Sequence, residues 1–446
     1  MTPNLSLHKS TILRDYFRVD SLHALHDVFP FEVIEQHIEK GSRDRVYSNE
    51  KTILTMVYSA TQADKTLQNS VSIFENVYNN QKQRIIEGVT KSIEEEKIRD
   101  LEIIETRRGP KKKYKLKLPK SKTGELSSNT AAYSNARKRI KLELLENVFD
   151  KSAEDLNKIY SWHGMKTYLT DGTYVQMQDT DDLRKKYDVK SADGKYVTSY
   201  PQGLVQTIIK QGSGLIHDFI LDSRHVSELS LIYKMIQSIP QGSLLLADDL
   251  YNTYAIFSLV RKNKFDIIVP GKRIRNYEVV KEIASGDEIV KVKLTEHPNW
   301  LPKDEVLPKE LILRRLSFLS PEGDRTLVLY TTILNEQIPK CDIILKYFTR
   351  WDIEITIREV KTIMDINVLR GKSDDIVQKE IISAFIAYNL IRKVIMQSVE
   401  ETAFSPKRDF IQEFLENNKE LYIDRKGRIY NRWSTGRHAK VEIENC

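Results

Sequence analysis

Between residues 161 and 273 the chain alternates β-type and helical runs in one order: strand, strand, strand, helix, strand, helix, strand. YLTDGTYVQM, the two halves of GLVQTIIKQGSGLIHDFILD, SLLLADD and FDIIVPGK are rich in β-branched and aliphatic residues, with Gly punctuation between them. HVSELSLIYKMIQSI and YNTYAIFSLVRKNK carry apolar residues at helical spacing. Runs of these kinds in this order point to a mixed α/β layer built on a central sheet.

The flanks read differently. Residues 1–160 are expected to be mostly helical, interrupted by RRGPKKKYKLKLPKSKTG at 107–124. That stretch holds nine Lys or Arg and no acid, and it reads as a loop or extended arm. Residues 274–341 alternate again without helical period and predict a small β-rich insertion. Helix returns over 342–400, and a basic, aromatic tail occupies 401–446. The core itself is expected in two parts, 161–273 and 342–400.

Composition excludes several classes. Two cysteines, Cys341 and Cys446, cannot build a disulfide framework or a cysteine zinc site, which suits a reducing compartment. No apolar run approaches the roughly 20 residues needed to span a bilayer, and the first residues lack a secretory apolar core. A cytoplasmic protein is expected. The net charge of +7 and a pI near 8.9 favour a polyanionic partner. LRGKS at 369–373 lacks the upstream Gly of a phosphate-binding loop, and zinc-protease and nucleophile-elbow motifs are missing. His23 and His26, three apart, read as structural or surface residues rather than ligands.

What remains is carboxylates. Asp171 is expected to close one strand and Asp248 another, with Asp249 beside it. Acids are unfavourable inside apolar strands, and strand ends in open α/β sheets are where sites gather. A D-G turn and a helix cap are the ordinary alternatives. A third acid lies in YFTRWDIEITIREVK, residues 347–361. On a helical wheel Arg350, Glu354 and Lys361 fall within about 60° of Tyr347, while Asp352 and Glu359 lie roughly 120–140° away. The ordinary alternative is a solvated face with an i, i+4 ion pair. Three converging carboxylates would suit hard cations such as Mg²⁺, and basic segments would suit a phosphate backbone.

DGT at 171–173, LLADDLYNTY at 245–254 and Y-x2-R-x3-E-x6-K at 347–361 resemble the D-D-E transposases of bacterial insertion sequences. They are most similar to the large group marked by the YREK signature, insertion-sequence family 4. AAYSNARKRIKLELL before the first Asp and LRGKSDDIVQKEIISAFIAYNLIRKVI after the Glu also resemble that group.

The resemblance implies an RNase H-like core interrupted by a β-rich insertion before the Glu-bearing helix. It implies catalysis and metal ligation by Asp171, Asp248 and Glu354, using two Mg²⁺ ions for which Mn²⁺ can substitute. It implies that Tyr347, Arg350 and Lys361 contact double-stranded DNA at the terminal inverted repeats, with target DNA to follow. Trp300, in HPNWLP, would stack on a base flipped from a hairpin intermediate of cut-and-paste transposition, or else simply pack. A homodimer would hold two ends together. One departure stands out: the second Asp of the group is usually followed by Arg, and here Asp249 follows. Asp248 takes the group's Asp position if Asp249 replaces the Arg, and strand alternation would aim the two side chains oppositely, so that one of them ligates rather than both. The arm at 107–124, the N-terminal helices and the tail residues Arg425, Lys426, Arg428, Arg432 and Arg437 are further candidate DNA contacts. The rival readings are a non-catalytic DNA-binding relic, a metal-dependent nuclease without strand transfer, and a helical scaffold with a basic surface.

Overall fold

The computed structural model describes residues 28–37, 46–62, 64–72, 74, 130–155, 161–191, 193–194, 196–271, 276–319 and 326–401, and two short paired strands at 422–423 and 429–430. The arm at 107–124, His23, His26, Cys446 and the named basic residues of the tail lie outside the described residues. Among the described residues no helix is long and apolar enough to cross a membrane.

Five strands form the centre of the sheet: β2 (Met165–Gln176), β3 (Gln202–Lys210), β4 (Ile216–Ser223), β5 (Leu244–Leu246) and β6 (Asp266–Pro270). Their spatial order is β4-β3-β2-β5-β6. The first three strands pair antiparallel, β3 and β4 through a short hairpin and β2 and β3 across a longer connection that carries α5 (Asp181–Tyr187). β5 and β6 join parallel to β2 through helical crossovers, α6 (Glu228–Met235) and α7 (Tyr254–Lys262). Both helices start where a hydroxyl can cap them: Ser227 accepts from Leu229 N–H and Thr253 from Ile256 N–H. This is the mixed sheet of an RNase H-like fold.

Strand alternation divides the core. Leu169, Leu244 and Leu246 face one apolar cluster, and Tyr168, Leu245 and Ala247 face the other. The first cluster is covered by α4 (Leu142–Ala153), α8 (Lys340–Phe348), α9 (Asp352–Ile363) and the long α10 (Asp374–Glu401). The second is covered by α6 and α7. Asn389 of α10 ties helix to sheet: its amide bonds both backbone groups of Ile216 and the Ser152 hydroxyl. N-terminal to α4 lie α1 (Phe31–Glu35), α2 (Asn49–Ala60) and α3 (Thr130–Arg139), with further helical residues at 67–72.

The β-rich segment after β6 does not fold back as a sheet of its own. β10 (Thr326–Thr331) pairs antiparallel with β6, and β9 (Glu310–Leu319), β8 (Asp287–Lys293) and β7 (Tyr277–Ala284) follow in turn. With β1 (Ser161–Trp162) on β2, ten strands make one continuous sheet. A buried ion pair fastens this extension to the helices that follow. Arg314 on β9 grips Asp287 at 2.6–2.8 Å and donates to the carbonyls of Asn335 and Ile338, just ahead of α8.

Two expectations need correction. Asp171 does not close its strand: β2 continues through Gly172 to Gln176, because β3 offers a partner for every residue from Tyr168↔Lys210 to Gln176↔Gln202. The D-G pair is therefore extended, not a turn. Residues 347–361 are also not one ideal helix. A 3₁₀ turn, Thr349–Trp351, separates α8 from α9, so wheel angles computed across it are approximate.

Candidate functional site

The parallel pairing of β2 with β5 stops at Leu169↔Leu246. Asp171 and Asp248 each stand two residues further on, at equivalent heights. An even offset keeps both on the face of Leu169 and Leu246, where α9 packs on β2. Asp248 keeps an extended backbone (φ −84°, ψ −175°) and its Oδ1 accepts from Leu250 N–H at 2.9 Å, capping the 3₁₀ turn Asp249–Tyr251. The ordinary capping role thus exists, and the position on the α9 face exists with it. Asp249 is the first residue of that turn.

Asp171 is half-buried, and its Oδ1 accepts from the Gly172 N–H at 2.8 Å. Burial pushes its carboxyl pKa up. The Gly172 hydrogen bond opposes this, the Asp248 charge adds to it, the Arg350 charge opposes it and the Glu354 charge adds to it. Those mutual effects put Asp171, Asp248, Glu354 and Arg350 in one electrostatic neighbourhood.

Glu354 sits in the first turn of α9, next to fully buried Ile353. Arg350 Nη2 lies 3.5 Å from Glu354 Oε1. Arg350 also hydrogen-bonds Tyr347, whose phenol pKa is raised by burial and lowered by that arginine, with Asp248 and Asp249 raising it further. So the charges of Arg350 and Glu354 act on Asp171, and those of Asp248 and Asp249 on Tyr347, despite the 3₁₀ turn. Lys361 lies two turns along α9 and lines a small cavity with Thr173, Thr207, Ile357 and Phe385. Thr173 is two residues beyond Asp171 on the same face of β2. Trp300 is half-buried against the α6–α7 cluster, and its carbonyl accepts from Ser230 Oγ at 3.5 Å.

One acid escaped the sequence reading. Glu228 opens α6, and its carboxyl pKa is raised by burial and then by the charges of Asp171 and Asp248. From sequence it is an ordinary acid in a first helical turn, complementing the dipole. The available signal was its neighbour: a glycine inside a strand marks a close approach, and the group approaching Gly172 is Glu228.

The donors are carboxylates without His or Cys, the set that suits Mg²⁺ or Mn²⁺ rather than zinc. Their chemistry fits a hard cation. Among the described residues, however, no group of three or more His, Cys, Asp or Glu is gathered closely enough to hold a metal ion. Arg350 holds Glu354 instead.

The family described as "Transposase DDE domain" matches residues 162–390, more than half of the 446-residue chain. A curated relative, "Transposase InsG for insertion sequence element IS4" of Escherichia coli (strain K12), is 25% identical over 278 residues. That match covers 60% of this chain and 62% of the relative, under two thirds of its length. "Putative transposase InsZ" of the same organism is 25% identical over 193 residues, covering 41% of this chain and 61% of the relative. Among solved structures, a piggyBac transposase synaptic complex with hairpin DNA aligns over 66% of this chain and 65% of that one. At 8% identity and a TM-score of 0.30, that likeness carries no argument.

Proposed function

The chain belongs to the Transposase DDE domain family, and from that premise we propose that it is a cut-and-paste DNA transposase of the YREK-signature group, acting at transposon ends through Asp171, Asp248 and Glu354. The observation that carries this reading is the register of β2 and β5. It sets two aspartates at equivalent heights on the face where the Glu354 helix packs.

Asp171, Asp248 and Glu354 would hold the divalent cations, Mg²⁺ or Mn²⁺. When bound, such ions activate an attacking oxygen and stabilise a leaving one in phosphoryl transfer. The protein's share is positional. β2 would hold Asp171, the end of β5 would hold Asp248, and α9 would bring the glutamate towards them. Arg350 would exchange its contact with Glu354 for a DNA phosphate, with Tyr347 orienting its guanidinium. Lys361 would meet the phosphates further along the same face. The partners are double-stranded DNA, first the terminal inverted repeats and then the target, and a second copy of the chain in the synaptic complex. The place of action is the bacterial cytoplasm. We assign strand transfer through a hairpin, with Trp300 stacking on the flipped base, to the same reading on the strength of the resemblance.

A second reading has its own observation: Asp249 stands where the group carries Arg, next to Asp248. A DNA-binding relic would keep the fold and bind ends without cutting them. The deciding experiment mixes the full chain with a labelled duplex carrying the inverted repeat that flanks its gene, in Mg²⁺, Mn²⁺ or EDTA. Metal-dependent nicking at the repeat boundary, lost in Glu354→Gln, is the expected result. Binding without nicking selects the relic. Nicking that persists in Glu354→Gln overturns the assignment of the three carboxylates.

A further inference from the structure

Six of the fifteen exposed large apolar residues among the described residues gather around the far end of β2: Tyr174, Val189, Tyr196, Val197, Tyr200 and Val368. Val368 bridges Gln176, the last residue of β2, and the Pro201 carbonyl next to Tyr200 accepts from Met177 N–H at 3.0 Å. Residues 189–197 form a tongue beside them. Val197 N–H donates to the Val189 carbonyl at 3.0 Å, Lys190 bridges Tyr196, and Gly194 makes the turn at φ +78°. Single exposed apolar residues are ordinary, but a cluster of them marks an interaction surface.

The tongue is fixed at its root. Arg184, on α5 and buried, donates to Asp179 Oδ1 and Asp188 Oδ2 at 2.6 Å each, and to the carbonyls of Thr198 at 2.7 Å and Ser199 at 2.6 Å. Asp188 also accepts from Val189 N–H at 2.9 Å and from the Thr198 hydroxyl at 2.7 Å. A loop ordered in advance avoids most of the ordering cost of binding. The rings on this surface carry cations. The Arg224 guanidinium lies 5.6 Å from the Tyr174 ring centroid and the Lys190 ammonium 5.2 Å from that of Tyr196. Lysine is depleted in protein–protein interfaces, whereas cations interleaved with aromatic rings suit nucleic acid. The surface is also continuous with the carboxylates. Between Leu169↔Leu246 and the Gln176↔Val368 bridge, no strand pairs with that edge of β2 among the described residues. β2 presents Asp171 on one face of this open stretch and Tyr174 on the other, three residues or about 10 Å further on.

In a paired duplex the base faces are stacked on one another, so an exposed ring meets a base face only where a strand is unpaired. We propose that the tongue, Tyr174, Tyr200 and Arg224 form a docking surface for an unpaired stretch of DNA. Its bases stack on the tyrosines with Val189 and Val197 packed beside them, and Lys190 and Arg224 meet its phosphates. This rests on the transposase reading, in which cutting one strand at the transposon boundary frees an end that can leave the duplex.

The test measures, by fluorescence anisotropy in EDTA, binding of the full chain to two labelled DNAs. One is the fully paired transposon end, and the other is the same end with a mismatched stretch at the boundary. Wild type should favour the mismatched end roughly tenfold, and Tyr174→Ala/Tyr200→Ala should lose that preference while Tyr174→Phe/Tyr200→Phe keeps it. Lys190→Ala and Arg224→Ala should each flatten the salt slope for the mismatched end by roughly 0.7. An iodouracil in the mismatch should crosslink wild type, on irradiation, within residues 189–200 or at Tyr174. Crosslinks only elsewhere overturn the surface, whether or not the alanine variants fold. Equal affinity of wild type for the two DNAs, with Mg²⁺-dependent nicking of the paired end intact, overturns the surface and leaves the transposase reading standing. Neither binding nor nicking overturns both. A Val189→Asp/Val197→Asp protein that sediments as a monomer where wild type is a dimer, with the mismatch preference unchanged, assigns the patch to a second copy of the chain instead.

Discussion

Arg350 Nη2 stands 3.5 Å from Glu354 Oε1, one helical turn away across the junction of the 3₁₀ turn and α9. The arginine side chain is only 14% exposed, and its Nε is buried without a partner. The pair is therefore buried on the arginine side and open to solvent on the glutamate side, whose side chain is 38% exposed. It keeps a guanidinium poised beside the carboxylates and spends one of their charges.

Arg350→Ala should leave the fold intact, because a partly exposed i, i+4 pair contributes no more than about 1 kcal/mol. It should lower nicking of end DNA on the order of a hundredfold, if the guanidinium stabilises the reacting phosphate. Initial nicking rates and thermal melts of the two proteins check this. Nicking at the wild-type rate would remove Arg350 from the DNA interface.

Asp249→Arg exchanges a negative for a positive charge at the head of the turn that Asp248 caps. Affinity for end DNA should rise several-fold at about 0.1 M salt, and the slope of log affinity against log salt should steepen by roughly one unit. Fluorescence anisotropy across a salt series measures both. An unchanged slope would mean that residue 249 does not face the phosphates.

Arg314 and Asp287 are 1% and 3% exposed and form a bidentate pair. Arg314 also satisfies the carbonyls of Asn335 and Ile338, which lead into α8. Arg314→Met leaves a buried carboxylate unpaired and should cost about 3–5 kcal/mol, with Arg314→Met/Asp287→Leu recovering most of it. Urea unfolding of the three proteins decides. A single variant as stable as wild type would show that the pair does not fasten the sheet extension.

Burial lowers the Lys346 pKa to about 8, with Asp352 acting in the opposite sense. A folded pKa below the unfolded value means that the unfolded chain binds more protons between about 8 and the usual lysine value near 10.4. Stability from this group then rises with pH across that window, and the cost of burying the ammonium is full below it. Lys346→Met should therefore stabilise the protein at pH 7, and the advantage should shrink by pH 10. Urea midpoints at the two pH values measure it. An advantage that is the same at both would contradict the depressed pKa.

Sequence alone determined the layers and named most of the candidate site's residues. The alternation of β and helical runs over 161–273 is a local signal, because each run must bury its own face. YLTD, LLAD and the spaced Tyr347, Arg350, Glu354 and Lys361 were legible for the same reason: each is a chemically odd group at a position counted along the chain. Tertiary structure decided the rest. The continuation of β2 past Asp171 depends on β3 supplying partners as far as Gln202. The union of the β-rich segment with the core sheet depends on β10 meeting the free edge of β6. The arrival of Glu228 over Gly172 depends on a helix packed across the opposite sheet face. No periodicity within a single run encodes these. They arise from strand register and helix docking between segments far apart in the chain, where packing and hydrogen-bond satisfaction choose among partners that the local pattern leaves equivalent.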